Sequence, residues 1–168
     1  DGYVTNLEGG RDAGSQDNLV ARLAGLWTIS EQTQLQLSYD YDKVDNAPRG
    51  ALGLSPWSAC PDDPFCGVVR NDVIDGEETR DMYAVTGKLR HELNDRWSSK
   101  LIASYRSFDT TNRQDEDGTA EVDRYLDTDN IEDSDIFYTE LQFNYTGDRY
   151  TLVFGGNPAL RPERSRQA

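Results

Sequence analysis

The stretch Gln34-Leu35-Gln36-Leu37-Ser38-Tyr39-Asp40-Tyr41-Asp42 puts Leu35, Leu37, Tyr39 and Tyr41 on one side of an extended chain and Gln34, Gln36, Ser38, Asp40 and Asp42 on the other. Successive side chains of a strand point to opposite faces, so this period of two reads as a β-strand with one apolar and one polar face. The stretch before it, Asn18 to Ile29, carries Leu19, Ala21, Leu23, Gly25, Trp27 and Ile29 on one side, with Arg22 pointing away and Val20 and Leu26 blurring the polar face. Only Ser30-Glu31-Gln32-Thr33 separates the two. A connection that short forces antiparallel neighbours, and the pair reads as a hairpin.

The pattern recurs twice. Tyr83, Val85, Gly87, Leu89, His91 and Leu93 share a face, Asn94-Asp95-Arg96 turns the chain, and Trp97, Leu101, Ala103 and Tyr105 return. Phe137, Leu141, Phe143 and Tyr145 then alternate with Tyr138, Glu140, Gln142 and Asn144 before Thr146-Gly147-Asp148-Arg149 leads into Tyr150, Leu152 and Phe154. The expected fold is all-β, an antiparallel meander of about six strands. Between the hairpins, Lys43 to Asp81 and Asp109 to Asp135 are long, polar and rich in Gly, Pro, Asn and Asp. Loops of that length are uncommon in compact soluble domains. Transmembrane barrels, by contrast, join strands of about ten alternating residues by short turns at one end and long loops at the other. Trp27, Trp97, Tyr145 and Tyr150 sit beside the short turns, and Tyr39, Tyr41, Tyr83, Tyr105 and Phe137 near the long loops. Two such belts match the aromatic girdles of a bilayer-spanning wall. Aromatic residues also favour strands in any β-protein; the asymmetry of the loops favours the membrane reading.

Composition is compatible with that reading. The 168 residues carry a net charge of −14 and a mean hydropathy of −0.78, with no apolar run near the ~20 residues of a membrane-crossing helix. Barrel strands hide their apolar content in alternate positions, so low hydropathy does not argue against them. The opening Asp1-Gly2-Tyr3 is neither a basic signal start nor an initiator, and the expectation is a processed chain or a fragment. The acidity excludes nucleic acid as a partner, because that needs a basic face to replace counterions on phosphate. Eleven acids and two bases fall between Asp109 and Asp135, a run expected to be solvated and self-repelling, and either disordered or bridged by divalent cations.

Cys60 and Cys66, the only cysteines, stand within one long loop as Cys-Pro-Asp-Asp-Pro-Phe-Cys. A local disulfide suits an oxidising compartment; the alternative, a metal pair, lacks a histidine nearby. Trp57 and Phe65 flank the ring and are candidate ligand-binding residues, with packing within the loop tip as the alternative. Catalytic residues are not assigned. His91 shares the face of Leu89 and Leu93 near a short turn and reads as a wall residue. There is no Gly-x-Ser-x-Gly, His-Glu-x-x-His or phosphate loop, and no pair of carboxylates is singled out for glycoside hydrolysis. Asp115-Glu116-Asp117-Gly118 and Asp127-Thr128-Asp129 invite a calcium reading, but neither has the EF-hand spacing. The expectation is solvated loops with no metal site, no cofactor and no enzymatic activity.

The opening Asp1-Gly2-Tyr3-Val4-Thr5-Asn6-Leu7, with the Gly- and Asp-rich stretch and strand after it, resembles a loop-to-strand passage of TonB-dependent outer-membrane receptors. Leu35 to Asp42 looks like the strand that follows. Gly156-Asn157-Pro158-Ala159-Leu160-Arg161-Pro162-Glu163-Arg164-Ser165 is similar to the Gly-Asn-Pro-x-Leu-x-Pro-Glu-x-Ser element of the same family. The resemblance implies a 22-stranded barrel of the bacterial outer membrane, plugged by an N-terminal domain and energised through the TonB complex. Its partners would be outer-membrane lipid and a small-molecule cargo, most typically a ferric siderophore. The chain lacks the family's plug, TonB box and aromatic-ended last strand, and about six strands cannot close a barrel that needs at least eight. The expectation is therefore a wall segment over residues 1–156. Residues 157–168 hold the motif and a tail, joined after a missing stretch because Tyr150 to Phe154 is too short to cross. A small autonomous outer-membrane barrel is one alternative, although Tyr3 to Leu7 and the Arg-rich tail are poor candidates for further strands. A soluble β-rich binding domain is the other.

Overall fold

The computed structural model describes residues 2–52, 55–63, 65–121, 123 and 126–157, and the backbone of 164–167. Its architecture is all-β. Strands β1 (Thr5–Asn6), β2 (Asn18–Ser30), β3 (Thr33–Asn46), β4 (Val68–Val69), β5 (Glu77–Asn94), β6 (Trp97–Asp115), β7 (Asp127–Thr146), β8 (Thr151–Gly156) and β9 (Arg164–Gln167) follow one another along the chain. The large sheet is an antiparallel meander in the order β2-β3-β5-β6-β7-β8. Its six strands are the three hairpins read from the alternation.

Local chemistry sets the turns. Asn94 Oδ1 accepts the backbone N–H of Arg96 at 3.0 Å and of Trp97 at 3.1 Å, the side-chain mimicry that makes Asn a turn former. The β2–β3 turn closes with Gln32 N–H donating to Ser30 Oγ at 3.3 Å. In the β7–β8 turn Gly147 N–H donates to the Tyr150 carbonyl at 2.8 Å. All three short turns fall at one end of the meander and the long connections at the other.

The strands run further than the hydrophobic pattern indicates. The long connections shrink to residues 47–76 and 116–126, against the expected 43–81 and 109–135. Ladder pairing continues from Lys43↔Asp81 to Asn46↔Glu78 and from Asp109↔Asp133 to Asp115↔Asp127. Backbone hydrogen bonds need no apolar side chain, so a ladder can persist where both faces are polar and alternation has stopped. Ion pairs on these extensions, Arg80 to Asp42 at 2.7 Å and Arg113 to Asp129 at 3.0 Å, join neighbouring strands.

The Arg-rich tail also departs from expectation: β9 pairs with Glu132 to Asp135 of β7. It takes the same edge of β7 that β8 takes from Leu141 to Thr146, in a register two residues apart. Most of the Gly156-to-Ser165 motif lies outside the described residues.

A second, smaller structure sits at the long-loop end. β1 pairs in parallel with β4, Gly14 N–H donates to the Pro48 carbonyl at 3.1 Å, and a Cβ on Gly50 would meet the Val69 side chain at 2.9 Å. Gly14 adopts φ +76°, a left-handed backbone that strains any other residue, and a Cβ there would meet the Tyr3 ring unless it moved. Among the described residues the buried hydrophobic side chains are Ala13, Ala47, Val69 and Ala84, and the first three belong to this cap. The meander itself has no apolar core.

Candidate functional site

Register carries the apolar face across the sheet. Trp27, Leu35, Leu89, Leu101 and Leu141 form one row; Gly25, Leu37, Gly87, Ala103 and Thr139 the next; Leu23, Tyr39, Val85, Tyr105 and Phe137 the one above. At the turn end lie Trp97, Tyr145 and Leu152, with Phe143 opposite Phe154. None of these large side chains is buried. Leu23 is 74% exposed, Leu37 51%, Phe137 48% and Phe154 53%. At 150–250 Å² for an aromatic side chain, a dozen half-exposed residues amount to on the order of 1,000 Å², against the few hundred Å² usual for the largest patch on a soluble monomer.

The belt has sharp borders. At the turn end, Trp97 and Tyr145 rings lie 4.9 Å apart and Tyr145 and Tyr150 5.7 Å apart. At the other border Tyr83 and Tyr105 lie 6.1 Å apart, and Tyr105 donates to Asp135 Oδ1 at 2.6 Å. In the next row of the same face Leu19 of β2 is followed by Lys43, Asp81, Asp109 and Asp133, charged on every strand after β2. From the Trp97 row to the Ser107 row, β6 advances ten residues, about 33 Å along a strand. His91 is the only histidine of the belt; its Nδ1 is 2.9 Å from Thr33 Oγ1, and it stands in the second row from the turns.

The opposite face is mostly polar, interrupted by Val20, Leu26 and Val153, and several of its polar groups pair with one another. Arg22 meets Asp40 at 3.4 Å, Thr86 Oγ1 lies 2.9 Å from Ser104 Oγ, and Glu140 accepts from both Tyr138 and Gln142.

At the long-loop end Cys60 and Cys66 form a disulfide with Cα atoms 6.5 Å apart. The cavity beside it, bordered by Ser58, Val69 and Gly118, holds about 10 Å³, and neither Trp57 nor Phe65 lines it. Those two side chains are 42% and 91% exposed. The structure therefore brings the cysteines together and leaves the two aromatic candidates exposed.

It also assembles a cluster that the sequence does not announce. Oxygens of Asp72, Asp115 and Asp127 lie within 4.8 Å of one another. Asp115 and Asp127 are opposite each other across β6 and β7. Asp72 comes from residues 47–76, held there because Asn6 donates to the Asn71 carbonyl and accepts from the Asn71 N–H, at 2.8 and 2.9 Å. Burial, with repulsion from Asp117 and Asp72, raises the Asp115 carboxyl above the usual range, partly offset by N–H donors from Gly118 and Asp117. Burial followed by repulsion from Asp127 and Asp117 raises Asp72 likewise. The acidic strings were visible in sequence; the pairing of one with a residue some 40 positions earlier was not.

Among the described residues no helix is long and apolar enough to cross a membrane, which says nothing of a crossing made by strands. No protein-family model, curated protein or solved structure matches this chain.

Proposed function

We propose that this chain is a wall segment of a bacterial outer-membrane β-barrel, belonging to a TonB-dependent receptor that imports a scarce nutrient such as a ferric siderophore. One observation carries the membrane part: an apolar, aromatic-bordered belt on a single sheet face, exposed across every strand, whose acid Asp135 stands in the border row opposite Ser107, with no core behind it. At the 35–45° strand tilt of such barrels, the 33 Å of the belt rises about 25 Å, the height of the apolar band of an outer-membrane wall. Lipid would cover the belt, and the polar face with its internal pairs would line the lumen. The short turns would then face the periplasm and the long connections the exterior.

The receptor part rests on the Gly-Asn-Pro-x-Leu-x-Pro-Glu-x-Ser match at Gly156 to Ser165 and on strands that continue well past the belt as polar ladders. The wall holds no chemistry of its own. Its role would be to support loops that meet cargo and to enclose a plug driven by the TonB complex.

Size-exclusion chromatography with and without detergent, alongside circular dichroism, tests the membrane part. The expected result is aggregation in buffer, because open edges with alternating apolar residues template association, and a defined β-rich species in micelles. A sharp monomeric peak with cooperative unfolding in plain buffer would favour a soluble binding domain. For the receptor part, disrupting the gene should impair growth on ferric siderophore under iron limitation, and unchanged growth on all such iron sources would reject that cargo.

A further inference from the structure

We infer that Asp72, Asp115 and Asp127 form a binding site for one hard divalent cation, Ca²⁺ in preference to Mg²⁺, at the long-loop end of the sheet. The inference stands apart from the membrane reading, since all three residues lie beyond the charged border of the belt.

An acidic cluster alone would not carry it. What does is the state of the buried oxygens. Asp115 is 2% exposed, and its Oδ1 is occupied, accepting from Asp117 N–H at 2.7 Å and Gly118 N–H at 2.8 Å. Its Oδ2 is buried with no hydrogen-bond partner, and so is Oδ1 of Asp127. A buried carboxylate oxygen without a donor is costly, and buried charges are ordinarily paired or bound to metal. Nor does a side-chain cation answer the cluster: among the described residues, Arg113 is committed to Asp75 at 2.8 Å and Asp129 at 3.0 Å, and Arg70 to Glu8 at 3.5 Å. Asp117, a further acid whose charge acts on both Asp72 and Asp115, is used in structure, accepting from Thr119 and from Leu126 N–H.

Geometry and donor type select the ion. Oxygens bound to one Ca²⁺ at 2.3–2.6 Å can stand at most about 5 Å apart, and the spread within 4.8 Å satisfies that with little movement. Mg²⁺, at 2.0–2.1 Å, requires tighter convergence and a stricter octahedron. The all-oxygen set without histidine or thiolate disfavours softer metals. Asp72 lies on the exposed side, leaving room for water to complete the shell. A bound ion would tie residues 116–126 to residues 47–76 and, through Asn6 and Asn71, to the N-terminal segment.

The test is calorimetric titration of the full chain with CaCl₂, folded in detergent micelles and stripped with chelator, with its β-content checked by circular dichroism. One Ca²⁺ should bind with Kd in the range of roughly 10⁻⁵ to 10⁻³ M, more tightly than Mg²⁺. Asp115→Asn and Asp127→Asn should each weaken it at least about tenfold, while Asp62→Asn, an exposed loop acid outside the cluster, should not. Should Asp115→Asn fail to fold, Asp72→Asn at the exposed corner carries the same expectation. Absence of Ca²⁺ binding up to about 10 mM, or binding indifferent to Asp72→Asn and Asp127→Asn, would overturn the inference.

Discussion

At the residue scale, Leu37 and Gln36 separate the environments of the two sheet faces. Both are exposed, so a fold surrounded by water would tolerate Arg at either position about equally. Leu37 stands mid-belt, its Cδ2 positioned 3.5 Å from where a Cβ on Gly87 would lie; Gln36 stands on the polar face. Leu37→Arg should therefore destabilise the wall in lipid by roughly 2–4 kcal/mol, the cost of a basic side chain on the lipid face at the midplane. Gln36→Arg should cost far less. Denaturant unfolding in phospholipid vesicles measures the difference, and equal tolerance would remove the lipid assignment. Asp72 supplies a second case, with the sign set by its raised pKa. The fold favours its neutral form, so the ionised carboxylate is a burden above the folded pKa that is relieved as pH falls through it. With divalent cations chelated, Asp72→Asn should melt above the parent chain at pH 7. The two melting temperatures should converge as the pH is lowered to about 3, below the ordinary Asp value of about 3.9, where the carboxyl is largely protonated in both native and unfolded chains. A gap that widens on acidification would contradict the repulsion among these carboxylates.

At the element scale, the two ends of the hairpins are built differently. Short turns are closed by local bonds such as those from Asn94 Oδ1, within three residues of their donors. The long connections are held by contacts distant in sequence, such as Asn6 with Asn71. This asymmetry decides orientation if the sheet crosses a membrane. On the proposed outer-membrane reading, a cysteine at Asp117 should react with an impermeant thiol reagent on intact cells expressing the proposed full-length receptor, and one at Asp95 only after the outer membrane is opened. The reverse pattern would invert the assignment. The same elements show the limit of hydrophobic periodicity. β5, β6 and β7 span 18, 19 and 20 residues, and alternation reports only the portion whose faces differ. Past the Tyr83–Ser107 row the apolar side chains are scattered, with Val44, Met82, Phe108 and Ile131 among polar and charged neighbours, so the ladder continues with no periodic signal in hydropathy.

At the scale of the whole molecule, the meander is one layer with two edges. Among the described residues β2 has no partner beyond β3, and the far edge of β7 is shared by β8 and β9. A single layer cannot enclose a core, which is why the few buried hydrophobic residues gather mainly in the loop-end cap. Six strands, their antiparallel order, the apolar face and the aromatic borders were all legible in sequence. Each follows from a period of two and a short turn, and both are local properties of the chain. The extended polar ladders, the return of β9 to β7, the small parallel pair of β1 and β4, and the meeting of Asp72 with Asp115 and Asp127 were decided by tertiary structure. Backbone hydrogen bonds leave no mark on side-chain patterning, and a carboxylate's neighbours depend on which distant segments the ladder brings to one end. The sequence by itself determined which face of each strand is apolar. Only the folded register determined that those faces join into one uninterrupted belt and that three acids close on a common point.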